Sequence, residues 1–164
     1  MAYYLTLFLF LFSLQYALRG RAKARKQIYP FVLCALFLFS AFRFEVGCDW
    51  SGYYFQWRGQ LYSTFEAALS TREPTWWTMM DGLQSLGLIY PWLHVASSAI
   101  FFTGAHVLAK RQPDPLGFLI FLFPILIVNM PMSGARQAAA IGIMCIAFAA
   151  FMDRKLFPFA IWTL

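Results

Sequence analysis

The chain has 164 residues, of which 61% are hydrophobic, 20% aromatic and 12% charged. Ordinary soluble domains carry about 25% charged residues, so too little polar surface is left to cover a water-soluble globule. Thirteen bases against seven acids give +6, yet five bases fall in the short run Arg19 to Lys26 between apolar stretches, which excludes a nucleic-acid surface. Cys34, Cys48 and Cys145 lie far apart, without disulfide-framework or metal-ligand spacing. The class that remains is an integral membrane protein: an all-α, polytopic transmembrane helical bundle.

A bilayer core about 30 Å thick needs roughly 17–25 apolar residues as helix. Residues 2–18 form a first span with the basic cluster Arg19, Arg21, Lys23, Arg25 and Lys26 directly after it. A cleaved signal peptide carries its charges before the apolar run, so this span is expected to persist. Residues 28–44 form a second span, entered through Pro30 and ending at Arg43. Residues 45–87 hold five of the seven acids and are too polar to cross. Within them Leu61, Phe65 and Leu69 repeat at four, the mark of an amphipathic helix on the membrane surface. Ser70 and Glu73 have capping-box spacing and Pro74 suits a first helical turn. A second short helix is therefore predicted from Arg72-Glu73-Pro74 toward Gly82, interfacial or re-entrant.

Residues 89–108 are a third span, followed by Lys110, Arg111 and the turn Pro113-Asp114-Pro115. Residues 116–132 are a fourth, interrupted by Pro124 and closed by Asn129-Met130-Pro131. Residues 137–152, rich in Ala and Gly, are a fifth, then Asp153-Arg154-Lys155, then a partial sixth over 156–164. Because the last run stops inside an apolar stretch, the chain is expected to be a truncated, single transmembrane domain.

Loops rich in Lys and Arg stay in the cytoplasm. With 19–27, 109–115 and 153–155 inside, the inner side holds nine of thirteen bases and all four lysines. The N-terminus, the 45–87 loop and the 133–136 turn then lie outside. The basic run 19–26 is a topology signal that can also attract anionic headgroups.

Three groups stand out at the outer face: Arg43-x-x-x-Gly47-x-Asp49-Trp50-x-x-Tyr53, Arg72-Glu73-Pro74 and Arg136-Gln137. Arginine presents a flat fork of donors that fits carboxylate or phosphate oxygens. Plainer readings stand beside this one. Arg43 and Arg136 sit at span ends, where long cations snorkel to the interface, and Glu73 can serve as a helix cap. Five of six tryptophans are on the outer side, where an aromatic belt accounts for most of them. His94 and His106 are lone residues without a second ligand at metal spacing and read as structural. Cys48 has no neighbouring histidine to make it a nucleophile. Acids mixed with arginines at a membrane face suit a lipid-linked pyrophosphate whose reacting sugar faces outward. Arginines neutralise the departing diphosphate, and a carboxylate accepts a proton from the attacking hydroxyl.

The ordered set Arg43-Phe-Glu-Val-Gly47-Cys-Asp49-Trp50-Ser-Gly-Tyr53, then Glu73-Pro74, then Arg136-Gln137 opening an Ala-rich span, resembles the EpsG family of Wzy-like exopolysaccharide and O-antigen polymerases, over roughly residues 1–160. Cys48 stands where a small hydroxylated residue is more usual, and Thr75 where glycine is. The resemblance implies a multi-pass glycosyltransferase of the bacterial inner membrane that joins polyprenyl-diphosphate-linked oligosaccharide units on the outer side. It implies neither nucleotide sugar nor obligatory metal, and no cofactor. Glu73 or Asp49 would be the base; Arg43, Arg72 and Arg136 would hold the diphosphate, with Gln137, Trp50 and Tyr53 on the substrate. Membrane lipid and a chain-length regulator or other envelope-assembly protein are the implied partners. Later spans of such enzymes help close the lipid cavity, which leaves open whether this stretch acts alone. Two other functions fit the same residues: a transporter or flippase for an anionic glycolipid, and a non-catalytic envelope-assembly component.

Overall fold

A computed structural model describes residues 2–43, 45–47, 49–60 and 73–163. The described residues are helical and contain no strand: α1 (Ala2–Ala17), α2 (Ala22–Ala41), α3 (Trp50–Gln60), α4 (Pro74–Ser85), α5 (Pro91–Ala109), α6 (Pro115–Leu122), α7 (Ala135–Met152) and α8 (Leu156–Thr163). Proline opens α4, α5 and α6 at the first turn, where its missing N–H would have no intrahelical partner and its fixed φ is already helical.

Two helices, α5 and α7, are long and apolar enough to cross a membrane. The fourth predicted span is shorter than expected, and Pro124 is the cause. Without an N–H to donate back to Ile120, the backbone widens into a π-helical turn over Phe123–Ile127, and Val128 N–H reaches the Phe123 carbonyl at 3.0 Å. Helix α6 with this turn covers about 20 Å at 1.5 Å per residue. Conversely, α2 starts earlier than expected and carries Lys23, Arg25 and Lys26 in its first turns. The predicted helix through Leu61, Phe65 and Leu69 lies outside the described residues. Helix α3 was not anticipated.

Helix α5 is the hub, packing against α2, α4, α6 and α7. It crosses α7 at Gly104 and Gly142. A Cβ on Gly142 would come within 2.5 Å of the Ile100 carbonyl oxygen and 2.7 Å of the Phe101 Cα, so the backbones themselves touch. Small residues permit this approach. On one side of α5 an apolar core gathers Leu11, Leu36, Phe101, Leu119, Phe123 and Ile127. A second core of Tyr53, Trp57, Trp76, Met80, Tyr90 and Leu93 sits near one end of the bundle. The outside is also apolar: Phe31 (76% exposed), Phe121 (71%) and Phe157 (77%) project outward from α2, α6 and α8. Water-soluble monomers rarely show so much contiguous apolar surface.

The two ends differ in chemistry. At one, Arg25 pairs with Asp114, Gln15 donates to Asp114 at 2.6 Å, and Arg111 bonds Asp153 at 2.5 and 3.0 Å. These contacts join the three loops predicted to share the inner side. The other end carries Arg43, Gly47, Glu73 and Arg136.

Candidate functional site

The three sequence groups meet at the start of α7. Gly134 precedes the helix and Ala135 begins it, which leaves the first N–H groups without intrahelical acceptors. Tyr53, buried in α3, lies beside them, with the Arg136 backbone N–H acting on its phenol oxygen. Burial pushes the Tyr53 phenol above its ordinary pKa, while that N–H and the cations Arg136 and Arg43 pull it the other way. From α5, the Ser97 hydroxyl donates to the Ala135 carbonyl. Gly47 reaches the same turn. Its φ is +107°, and a Cβ there would collide with the Met132 carbonyl and lie 3.1 Å from the Ser133 Cα. Only glycine allows both the conformation and the approach.

Helix α7 thereby presents Arg136, whose guanidinium pairs with the Glu73 carboxylate. Glu73 precedes Pro74 at the mouth of α4. The capping-box expectation is corrected here: Glu73 is itself the residue before the helix and makes no side-chain cap hydrogen bond. Its carboxylate turns to a guanidinium instead, a charge-assisted bond stronger than one to a neutral amide. Both side chains remain more than two-fifths exposed, so the pair stays open to a ligand.

That opening is a cavity of about 650 Å³ lined by Glu73, Trp76, Met79, Arg136, Gln137 and Trp162, among others. Indole faces and a paired acid and base thus share one hollow. Trp162 comes from α8, which folds back antiparallel along α7. Gln137 is exposed at the rim. Trp76 is 4% exposed and Trp57 is 5%, so both are packed in the aromatic core and not in a belt toward lipid, and Trp76 alone of the two lines the cavity. Their neighbours are Tyr53 and Tyr90, at 5.2 Å from Trp76 and 6.1 Å from Trp57 between ring centroids.

Arg43 is placed differently. It is 7% exposed and does not line the cavity, so it neither snorkels to an interface nor faces the Glu73–Arg136 pair directly. Its Nη2 donates to His94 Nδ1 at 2.8 Å. A guanidinium can only donate, so Nδ1 is the acceptor and the ring proton sits on Nε2. Nε2–H then donates to the Tyr90 hydroxyl at 2.9 Å, and that hydroxyl donates to the Trp50 carbonyl at 2.8 Å. The relay runs in one direction from cation to backbone. Nε and Nη1 of Arg43 are buried and have no hydrogen-bond partner among the described residues, an expensive arrangement for a cation.

Sequence reasoning took His94 as a lone structural histidine and missed this pairing. One signal was present: a titratable residue inside an apolar span, which in membrane proteins points to function. Asp49 is exposed immediately before α3, where its charge meets the positive helix end. It interacts electrostatically with Arg43 and Tyr53 and does not line the cavity. Trp50 is half-buried and stacks on Tyr54 at 5.5 Å. Arg72 and Cys48 lie outside the described residues. His106 accepts or donates a 2.9 Å bond with Tyr29 Oη. Among the described residues no three metal-ligating side chains come together.

An all-helical chain with an apolar exterior and an acid–arginine pocket at one end is the class defined by these observations. A model of the EpsG family matches residues 26–164, and the chain belongs to that family. Membership associates it with exopolysaccharide biosynthesis. Neither the curated proteins nor the solved structures gave a match.

Proposed function

We propose that the protein is a polytopic glycosyltransferase of the bacterial inner membrane, joining polyprenyl-diphosphate-linked oligosaccharide units at the outer face. The observation that supports this most is the Glu73–Arg136 pair in a cavity walled by Trp76, Gln137 and Trp162. Arg136 suits a diphosphate: it is planar, always charged and bidentate. Indoles suit sugar faces. The lysine-bearing loops lie inside and the N-terminus outside, consistent with the shared end of Arg25, Asp114, Arg111 and Asp153.

In the proposed step the anomeric C–O bond to the diphosphate breaks, and a glycosidic C–O bond forms to the acceptor hydroxyl. The hydroxyl proton passes to the Glu73 carboxylate. The polyprenyl diphosphate leaves with the bonding electron pair, and Arg136 neutralises it. The Arg136 guanidinium occupies the Glu73 carboxylate. An incoming diphosphate competes for Arg136 and releases the carboxylate, so binding the donor switches on the base. Glu73 suits the role better than Asp49, because it shares the cavity with Arg136. Arg43, fixed by His94 beneath the α3 end, adds a buried positive field toward the same region.

Glu73→Gln and Arg136→Ala in the producing bacterium test this. Loss of a positioned general base costs about a hundredfold to ten-thousandfold, so long glycan disappears while single lipid-linked units accumulate at the outer leaflet. Units retained at the inner leaflet would favour a transporter. Unchanged long glycan in both variants would overturn the ligand site.

A further inference from the structure

At the opposite end from Arg136, α2, α5 and the start of α6 enclose a cavity of about 490 Å³. Its charged lining is Arg25, Lys26, Lys110 and Asp114, three cations against one carboxylate, with Tyr29 and His106 as the neutral polar groups. Asp114 is already engaged by Arg25 and Gln15. Lys26 and Lys110 are exposed and have no carboxylate partner among the described residues. The cavity has an apolar neighbour. Pro30 and His106 line it and also line a second hollow of about 320 Å³, which continues between α2 and α5 over Leu33, Cys34, Phe37, Phe102 and Thr103. The His106–Tyr29 hydrogen bond, 2.9 Å, fixes the shared wall. A cationic chamber thus adjoins an apolar furrow along the helices, the two sharing Pro30 and His106.

We propose that this is a site for an anionic phospholipid, its phosphate between Lys26 and Lys110 and one acyl chain in the furrow. The charge matches a phosphodiester, and a basic pocket between helices on the cytoplasmic side is where anionic headgroups are held. A free phosphate would use the chamber and leave the furrow empty. The inference depends on a membrane setting and not on the glycosyl-transfer chemistry, and its test reads binding alone.

The experiment uses the full-length protein in detergent, with native mass spectrometry and thermal stability as readouts. The probes are dioleoylphosphatidylglycerol, dioleoylphosphatidylcholine and inorganic phosphate. Phosphatidylglycerol should bind and raise the melting temperature, whereas phosphatidylcholine and phosphate should not. Lys26→Ala with Lys110→Ala should weaken phosphatidylglycerol roughly tenfold to thirtyfold, from the usual effect of a lysine near an anionic headgroup. The charge-matched pair Arg19→Ala with Lys23→Ala, outside the chamber, should leave it unchanged. Thr103→Trp, on an exposed furrow position, should weaken it without removing a charge. Equal binding of phosphatidylcholine, equal loss in the Arg19/Lys23 control or no loss in Thr103→Trp would overturn the site. Phosphate binding as tightly as the lipid would make it a free-anion site and overturn it equally.

Discussion

A buried guanidinium with two nitrogens unpartnered among the described residues is a costly arrangement. Among those residues the one side-chain bond of Arg43 is to His94, so His94→Ala removes the acceptor and leaves the charge buried. A hydrogen bond between a charged donor and a neutral acceptor contributes about 1.5–3 kcal/mol, and that is the expected loss of unfolding free energy in detergent. A double-mutant cycle with Arg43→Leu checks it: the double variant should be more stable than His94→Ala alone. Gly47 is a second single-residue constraint. Gly47→Ala must hold an unfavourable φ, at about 1–3 kcal/mol, and also push back the 132–133 turn. Thermal unfolding should therefore fall by more than this strain alone predicts, with long-glycan production falling alongside because Arg136 is set by the same turn.

At the scale of the elements, the α5–α7 crossing is where backbone meets backbone. Gly142→Leu has no room and should separate the two helices, lowering the melting temperature by several degrees or abolishing the folded state. Gly82→Ala is the informative contrast. Nothing lies within 4 Å of a Cβ there, so this helical position should gain about 0.5–1 kcal/mol from reduced chain entropy. Two glycine replacements acting with opposite sign would separate packing from propensity. A loss at Gly82 as large as at Gly142 would count against the crossing as the cause. Pro124 acts on this scale too: its ring forces the π-helical turn and so sets where the chain leaves α6 for the Asn129–Ser133 turn.

Across the whole molecule, the lysine-rich end is held by ion pairs between loops distant in sequence. The Arg111 hydrogen bond keeps the Asp153 carboxyl below its ordinary pKa, and the same bond raises Arg111. The sign follows from linkage. Its contribution is complete above the ordinary aspartate pKa and is lost as pH falls through the lower folded value. Asp153→Asn should therefore flatten the acid side of the stability profile, lowering stability slightly above the ordinary aspartate pKa and changing nothing below the folded value, as thermal melts from acidic to neutral pH would show. Because Asp153 is exposed, the effect is a small one, screened by salt. The proposed topology is testable on the same scale. Single cysteines at 154 and at 133 in a cysteine-free protein should differ in intact cells, with only position 133 labelled by an impermeant maleimide.

Much of this was legible in the amino-acid order. The helical class, the approximate helix positions, the α4 helix from Pro74 and the grouping of the basic loops follow from apolar run length, proline placement and charge. These are local or compositional properties, and they survive whatever the tertiary packing does. The amino-acid order also singled out Gly47, Tyr53, Glu73 and Arg136 without saying why they belong together. That answer is tertiary: Gly47 and Tyr53 seat the first turn of α7, and Glu73 meets the arginine this turn presents. It also lay beyond periodicity that Arg43 turns inward to His94, that Asp49 stays on a helix end, and that Trp57 and Trp76 are buried in one aromatic core. A side chain's partner is set by how helices cross, and here they cross at two glycines whose positions in the chain carry no mark of contact.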